Sequence, residues 1–184
     1  MELLQAIEQR RAVREYTGEP VDPALLERLV RTATLAPSAM NQQPWSFAVI
    51  TGARRIEACA RRAREYALSE AGVANGRLRQ LLADPATSIF HHAPALVLVL
   101  AQEDDSQARE DCCLAAQTFM LAARDAGLGT CWIGLGRPWL NLPEVKAELG
   151  LPLRRHVVAP IIVGHPGAWP PAHERRAAEI HWIR

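Results

Sequence analysis

The longest apolar run of the chain lies between Ala93 and Ala101, and it constrains the fold more than any other segment. A helix that crosses a bilayer needs about 20 apolar residues, so this run is far too short to span a membrane. Its leucines and valines follow one another from residue 95 to residue 101 without a polar alternation, which is typical of a fully buried strand. The run therefore predicts a core strand of a globular protein.

Helical and strand patterns alternate along the rest of the chain. The predicted elements are a short helix at 3–7, a helix from Asp22 and Pro23 to about Ala36, a loop at 37–44, a strand at 45–51, a basic-faced helix at 53–69, a long helix from Asp104 and Asp105 to Gly127, a strand at 130–133, a small helix starting at Asn141 to Pro143, and a strand at 157–163. No pattern stands out from Ala71 to Pro94. A length of 184 residues with 49% apolar content predicts a single domain, 1–184.

Charge and composition argue against several classes of function. With 21 basic and 20 acidic side chains the net charge is +1, so no overall field attracts nucleic acid or anionic lipid, and any anion site must be local. Charges at Glu2 and Glu8 stand where a signal peptide has its apolar core, which predicts a soluble, cytoplasmic protein. The 4 cysteines are expected to be reduced thiols, mostly packed inside. Their spacing from the histidines is not that of a zinc site, so we predict no metal.

Three arginines within a stretch of five residues form the first candidate site. Arg10, Arg11 and Arg14 lie close enough for their guanidinium groups to converge on a phosphate through forked, charge-assisted hydrogen bonds. The alternative is a solvated basic helix end, because runs of like charge usually face water. This motif alone leaves both interpretations open.

Two further segments have the chemistry of a ligand site. The loop between Pro37 and Pro44 carries hydroxyl and amide groups that could contact the polar edge of a heteroaromatic ring, although a self-capping connector is an equal alternative. The glycines of the segment from Gly127 to Gly134 allow backbone amides to approach a ligand. They end a helix and precede a strand, whereas a dinucleotide fingerprint opens a helix, so a Rossmann site is disfavoured. A plain helix cap followed by a strand is the alternative here.

Taken in order, these motifs resemble those of the nitroreductase-like flavoproteins. The matching patterns are Arg-Arg-x-x-Arg at 10–14, Pro-Ser-x-x-Asn-x-Gln-Pro-Trp at 37–45, Gly-Leu-Gly-x-Cys-Trp-Ile-Gly at 127–134 and the ending Arg-Arg-Ala-Ala-Glu-Ile-His-Trp at 175–182. The resemblance implies an α+β fold, a three-layer α-β-α sandwich with a mixed, mainly antiparallel sheet, in a domain-swapped homodimer. The alternation of helices and strands by itself favours a parallel α/β sheet instead.

The resemblance also implies an FMN site at the interface of the two subunits. The phosphate and ribityl group would be held by the first motif, through Arg10, Arg11, Ala12 and Arg14. Ala12 stands where the family often has serine, so only its backbone could contribute. One or both of two tail arginines, Arg175 and Arg176, would close the phosphate site.

Two other segments would contact the flavin ring if the resemblance holds. The loop after the second helix would reach it from the opposite subunit, through Pro37, Ser38, Ala39 and Asn41, and Gln43 would help to shape that loop. Ile133 and Gly134 would lie over the ring, with the backbone amide of Gly134 near flavin N5 or O4.

The implied activity is that of an FMN-dependent NAD(P)H oxidoreductase. Electrons would pass from NAD(P)H through flavin N5 to a nitroaromatic, a quinone or a related electrophile, and no catalytic side chain is predicted because the flavin carries the chemistry. One alternative is a low-turnover protein that binds or sequesters FMN. Another is a specialist, such as a reductive dehalogenase or a flavin-cleaving enzyme. Substrate choice is expected to lie between Ala71 and His92.

Overall fold

The computed structural model describes residues 1–69 and 76–184. Its helices are α1 (Leu3–Gln9), α2 (Pro23–Ala33), α3 (Ala53–Ser69), α4 (Gly76–Ala83), α5 (Ser106–Asp125), α6 (Arg137–Leu140) and α7 (Pro143–Glu148). Its strands are β1 (Trp45–Thr51), β2 (Ala95–Ala101), β3 (Gly129–Trp132) and β4 (His156–Gly164), and short 3-10 turns lie at Ala39–Asn41 and Gly134–Gly136. Of the segment expected to choose the substrate, residues 71–75 lie outside the described residues.

The four strands form one sheet in the order β1-β2-β4-β3, and each neighbouring pair is antiparallel. Strand β2 is buried along its whole length, as the apolar run predicts. Val97 and Val99 pack with α2 and α5 on one face, while Leu96 and Leu98 pack with α3, α4, α6 and α7 on the opposite face. The predicted three-layer sandwich is confirmed. The parallel sheet favoured by alternation alone is wrong, because a strand-helix-strand pattern does not specify strand direction.

Most predicted elements match the structure closely, and the differences have local causes. Helix α2 ends at Ala33 and not near Ala36, because the amides of Leu35 and Ala36 donate to carbonyls three residues back, at 3.1 and 3.2 Å. The proline at position 37 also disfavours helical backbone at the residue before it. Helix α4 lies in the segment where no pattern stood out.

The ends of α5 agree with the residues predicted to cap it. The Asp105 carboxylate accepts from the amide of Ala108 at 3.0 Å, and Gly127 follows the helix with φ at 78°.

Asn141, expected at a helix start, has a different role. Its amide group pairs with both backbone polar groups of Val157, at 2.8 and 3.0 Å, and so fastens α6 to the start of β4.

The arginine-rich segment runs along the edge of the sheet. The amide of Val13 donates to Thr130 in β3 at 3.0 Å, and the Ala12 to Thr130 bridge is parallel, which makes the sheet mixed. Val13 is fully buried. A Cβ placed on Gly129 would lie 2.7 Å from three atoms of the Val13 side chain, so only glycine allows the segment to approach β3 this closely.

We expect Gly129→Ala to destabilise the protein by about 1–3 kcal/mol, because overpacking forces Val13 and its backbone away from β3. The free energy of unfolding in urea measures the effect. Gly134→Ala is the matched control, since no atom lies within 4 Å of the added carbon, and it should change stability by less than about 0.5 kcal/mol. Equal unfolding free energies for the two variants would contradict the close-approach role of Gly129.

Helix α1 exposes its apolar face in the part of the chain that the structure describes. Leu3, Leu4 and Ile7, which the sequence places on one face, are 66%, 70% and 49% exposed, and only Ala6 is buried. Three apolar residues at the chain end, Ile180, Trp182 and Ile183, are exposed as well.

The four cysteines are free thiols and three of them are buried, as expected. In the part of the chain that the structure describes, no helix is both long and apolar enough to span a membrane.

Candidate functional site

A cavity of about 530 Å³ lies between the arginine segment and the C-terminal tail. Four guanidinium groups border it, against a single carboxylate, so its walls carry a clear excess of positive charge. The lining residues are Arg10, Arg11, Ala12, Arg14, Glu15, Ala168, Trp169, Pro170, Pro171, His173 and Arg175. Although the chain is almost neutral, this cavity therefore has the local excess of positive charge that an anion site requires.

Both walls of the cavity are fixed to the same edge of the sheet. Helix α1 ends at Gln9, and Arg10 takes up an extended conformation that leads the chain along β3. The tail leaves β4 and returns to this segment, where Gly167 donates to the carbonyl of Glu15 at 2.9 Å. Residues far apart in sequence, Arg10 and Arg175, thereby come to face one another.

Arg10 is half-buried and lies near other positive charges. Burial lowers the pKa of its guanidinium, and the positive charges of Arg11 and Arg175 lower it further. Half-buried like charges repel one another and lose part of their hydration, which costs free energy unless an anion compensates them. A phosphate would offer several acceptor oxygens to these donors and would reverse the repulsion.

Arg11 contributes less to this charge than its position in the motif suggests. Its Nη1 donates to the carbonyl of Glu8 at 2.5 Å and to that of Arg10 at 2.8 Å. It thus satisfies carbonyl groups at the end of α1, where cations also interact favourably with the helix dipole. Arg11 therefore fits the interpretation as a basic helix end. Arg10 fits the interpretation as part of a phosphate site.

Arg14 lies beside a buried thiol. Burial raises the pKa of the Cys131 thiol, although the nearby positive charges of Arg14 and Arg10 oppose that shift. The Tyr16 hydroxyl donates to the carbonyl of Val13 at 2.8 Å, which adds a hydrogen bond within this segment. Cys131 is therefore the inert, buried residue that its strand position predicts.

The polar loop after α2 is held by its own hydrogen bonds. Ser38 Oγ accepts from the amide of Gln43 at 2.9 Å, and the Gln43 side chain donates to Asn41 at 3.1 Å. The buried carboxylate of Asp111 accepts from the amide of Ala39 at 3.2 Å and so ties the loop to α5. The loop is thus a self-capped connector, yet its backbone is strained.

Two of the residues predicted to bind a ligand share this unusual backbone with Met40 beside them. Asn41 and Gln43 have φ values of 54° and 48°, a region that residues other than glycine rarely occupy. Such conformations persist where the surroundings enforce them, often at binding sites. The predicted loop residues Pro37, Ser38, Ala39, Asn41 and Gln43 do not border the cavity of their own chain.

The segment after β3 also lies apart from the cavity lining. Ile133 is buried, and its amide donates to Pro160 at 2.8 Å. Gly134 is exposed and begins a 3-10 turn, so its own amide has no acceptor within that turn. Arg176 does not line the cavity either, whereas Arg175 does. The structure therefore gathers Arg10, Arg11, Ala12, Arg14 and Arg175 from the predicted set.

Three residues of this region were absent from the predicted site. Asp111 supports the loop, Trp169 lines the cavity, and Arg124 stacks beneath Trp169 with its guanidinium carbon 3.7 Å from the ring centre. A tryptophan between a glycine and two prolines was a usable signal, since an aromatic residue in an irregular tail requires a packing partner. Nothing local marks Asp111 or Arg124, which appear as ordinary polar positions of a long helix.

Comparison with known proteins gives a consistent result. The model of the nitroreductase family matches residues 7–165. A crystal structure of a nitroreductase with bound FMN from Bacteroides fragilis is 27% identical and superposes with a TM-score of 0.86, covering 100% of both chains.

Two relatives found by sequence have different named activities. A protein of Archaeoglobus fulgidus, provisionally named as an NADH dehydrogenase or NAD(P)H nitroreductase, is 26% identical over 90% of this chain and 86% of its own length. The 5,6-dimethylbenzimidazole synthase of Rhodospirillum rubrum is 31% identical, over 85% of this chain and 78% of its own length. The activities named among these relatives thus differ.

Proposed function

Because the chain belongs to the nitroreductase family, we propose that it binds FMN and acts as an NAD(P)H-dependent oxidoreductase. The observation that carries this proposal is the convergence of Arg10, Arg14 and Arg175 on one cavity. The similar nitroreductase from Bacteroides fragilis holds FMN in its crystal structure, which supports the same cofactor here.

The residues present fit the phosphate end of FMN. Arginine side chains supply paired donors that match a phosphate, and the half-buried Arg10 borders the cavity together with three other arginines and one carboxylate. Ala12 offers no hydroxyl, so the contact from this position is limited to its backbone. The polar side of the cavity is thus suited to a phosphorylated ligand more than to a neutral one.

Bound FMN would supply the redox chemistry, accepting a hydride from NAD(P)H and passing electrons to a nitroaromatic, a quinone or a related electrophile. The chain's part is to hold and orient the cofactor. We propose that Ile133 and Gly134 lie over the ring, with the open amide of Gly134 directed at N5 or O4. An amide donor and nearby arginine charge would both favour electron-rich, reduced flavin. The side chains themselves need not transfer protons.

We propose that the working unit is a homodimer in which the loop at 37–43 completes the site of the partner. Ser38 and Asn41 do not border the cavity of their own chain, although their strained backbone is typical of a binding loop. The uncovered apolar faces of α1 and of the chain end provide surface for a second copy. Association would cover both the flavin and these faces.

A second candidate is favoured by the 31% identity to 5,6-dimethylbenzimidazole synthase. A flavin-cleaving specialist would consume its flavin, whereas an oxidoreductase regenerates it in each cycle. A non-catalytic FMN carrier is a third candidate and would neither consume flavin nor oxidise NAD(P)H.

The test is to purify the protein, load it with FMN and follow NADH and NADPH oxidation with a nitroaromatic or a quinone as acceptor. We expect a yellow protein that oxidises one of the two nucleotides many times per flavin, with the flavin spectrum restored at the end. A colourless protein that cannot be loaded would refute FMN binding. Irreversible loss of flavin absorbance in air would favour the specialist, and stable flavin without turnover would favour the carrier.

A further inference from the structure

Arg124, near the end of α5, connects the two walls of the cavity. Its Nη2 donates to Gln9 Oε1 at 2.8 Å, and its guanidinium carbon lies 3.7 Å from the centre of the Trp169 ring. Gln9 immediately precedes Arg10, and Trp169 itself borders the cavity. A single side chain thus contacts both the residue that precedes the arginine segment and the tail.

The geometry points to a positioning role for this contact. We infer that Arg124 and Trp169 form a clamp that holds the tail against the arginine segment, so that Arg175 faces Arg10 across the phosphate end of the cavity. The inference rests on the proposed function, because the clamp matters for the phosphate of FMN only if FMN binds there.

The clamp lies where the tail has no regular secondary structure. The amide of Gly167 donates to Glu15, but Trp169 and the residues after it belong to no helix or strand. Arg10 and Arg175 carry like charges and border the same cavity, so holding the tail in place requires a restraint against their repulsion. Stacking of a guanidinium on the indole face supplies that restraint without placing a negative charge in the site.

The environment of Arg124 favours a planar cation at this position. The side chain is half-buried, and its Nε is buried without a hydrogen-bond partner within the described part of the chain. Stacking against the indole face compensates in part for the lost hydration. Lysine would keep a charge near the helix end but would lose the flat surface and the forked geometry.

The experiment compares FMN with riboflavin, which has the same ring and ribityl chain but no phosphate. Arg124→Lys and Trp169→Ala are titrated with both flavins in the apo protein. We expect the dissociation constant for FMN to rise at least about fivefold in each variant, from the loss of one partly buried cation-π contact. The constant for riboflavin should change less than about twofold, because the clamp acts on the phosphate end.

Two controls separate this role from general stability. Trp169→Phe keeps an aromatic face and should restore FMN affinity to within about twofold of the wild type. Arg62 stacks on Trp139 with its guanidinium carbon 5.3 Å from the ring centre, away from the cavity, so Arg62→Lys should change affinity for neither flavin.

Equal losses of FMN and riboflavin affinity in the clamp variants would overturn the inference, since they would indicate a general packing defect. Unchanged FMN affinity in both variants would overturn it as well, while leaving the proposed function intact. A wild-type protein that binds neither flavin would instead refute the proposed function, and the clamp with it. Loss of FMN preference over riboflavin with rescue by phenylalanine is the supporting result.

Discussion

Replacing Arg10 with alanine is expected to raise the dissociation constant for FMN by about 10- to 100-fold, because each charge-assisted hydrogen bond contributes about 1.5–3 kcal/mol. The apo protein should not lose stability. Burial of the Arg10 guanidinium and the positive charges of Arg11 and Arg175 all lower its pKa, so removing this charge should not weaken the folded apo chain. Titration of apo protein with FMN and melting of the apo form measure the two effects separately.

Arg11→Ala is the control within the same motif. Its side chain donates to the carbonyl groups at the end of α1, so its removal should weaken FMN binding less and should lower apo stability by about 0.5–1 kcal/mol. In the tail, Arg175→Ala should weaken binding and Arg176→Ala should not, since only Arg175 borders the cavity. If the cavity does not hold the phosphate, Arg10→Ala, Arg11→Ala and the wild type should bind FMN with equal affinity.

Mixing two defective variants is expected to restore FMN binding if the site is shared between subunits. One variant is Arg10→Ala, which damages the arginine wall, and the other is Asn41→Ala, which damages the loop proposed to reach the partner's flavin. In a heterodimer of the two, one site carries both defects and the other carries none. Random exchange of equal amounts should therefore restore about a quarter of all sites to wild-type affinity.

Flavin titration of the mixed protein, after subunit exchange, counts the restored sites. The control mixes Arg10→Ala with Arg14→Ala, whose defects lie in the same wall. Every dimer then carries a damaged arginine wall at each site, so no site should recover. If the loop at 37–43 served its own subunit, the mixture of Arg10→Ala with Asn41→Ala would bind FMN as weakly as the two variants do separately. That result would refute the shared site.

The position of the tail illustrates the limit of motif-based prediction. Arg175 and Arg176 are equivalent in the sequence, yet only Arg175 reaches the cavity. Which of two neighbours turns inward depends on the path of the chain after β4, and that path is set by the pairing with Glu15 and by the stacking of Trp169 on Arg124. These contacts join residues more than forty positions apart, and no local pattern records them.

The arginine motif shows the same limit at shorter range. Its spacing leaves a phosphate site and a basic helix end both open. In the structure Arg10 and Arg11 both border the cavity, but Arg11 also donates to carbonyl groups at the end of α1. The difference arises at Gln9, where the helix stops and the backbone becomes extended. A shift of this stop by one residue would rotate the side chains that follow and exchange their roles.

The sequence by itself determined the elements of this protein, because hydrophobic period, proline and capping residues act locally. It predicted the bounds of β1, α3 and β2 and the caps of α5, and the order of four motifs indicated the family. Strand direction did not follow from the strand pattern, because an apolar strand can pair its backbone with parallel or antiparallel neighbours; only the family resemblance implied an antiparallel sheet. The pairing of β1 with β2 required the tertiary structure. The cavity likewise exists only after folding, when the close approach allowed by Gly129 and the clamp at Arg124 bring the two ends of the chain together.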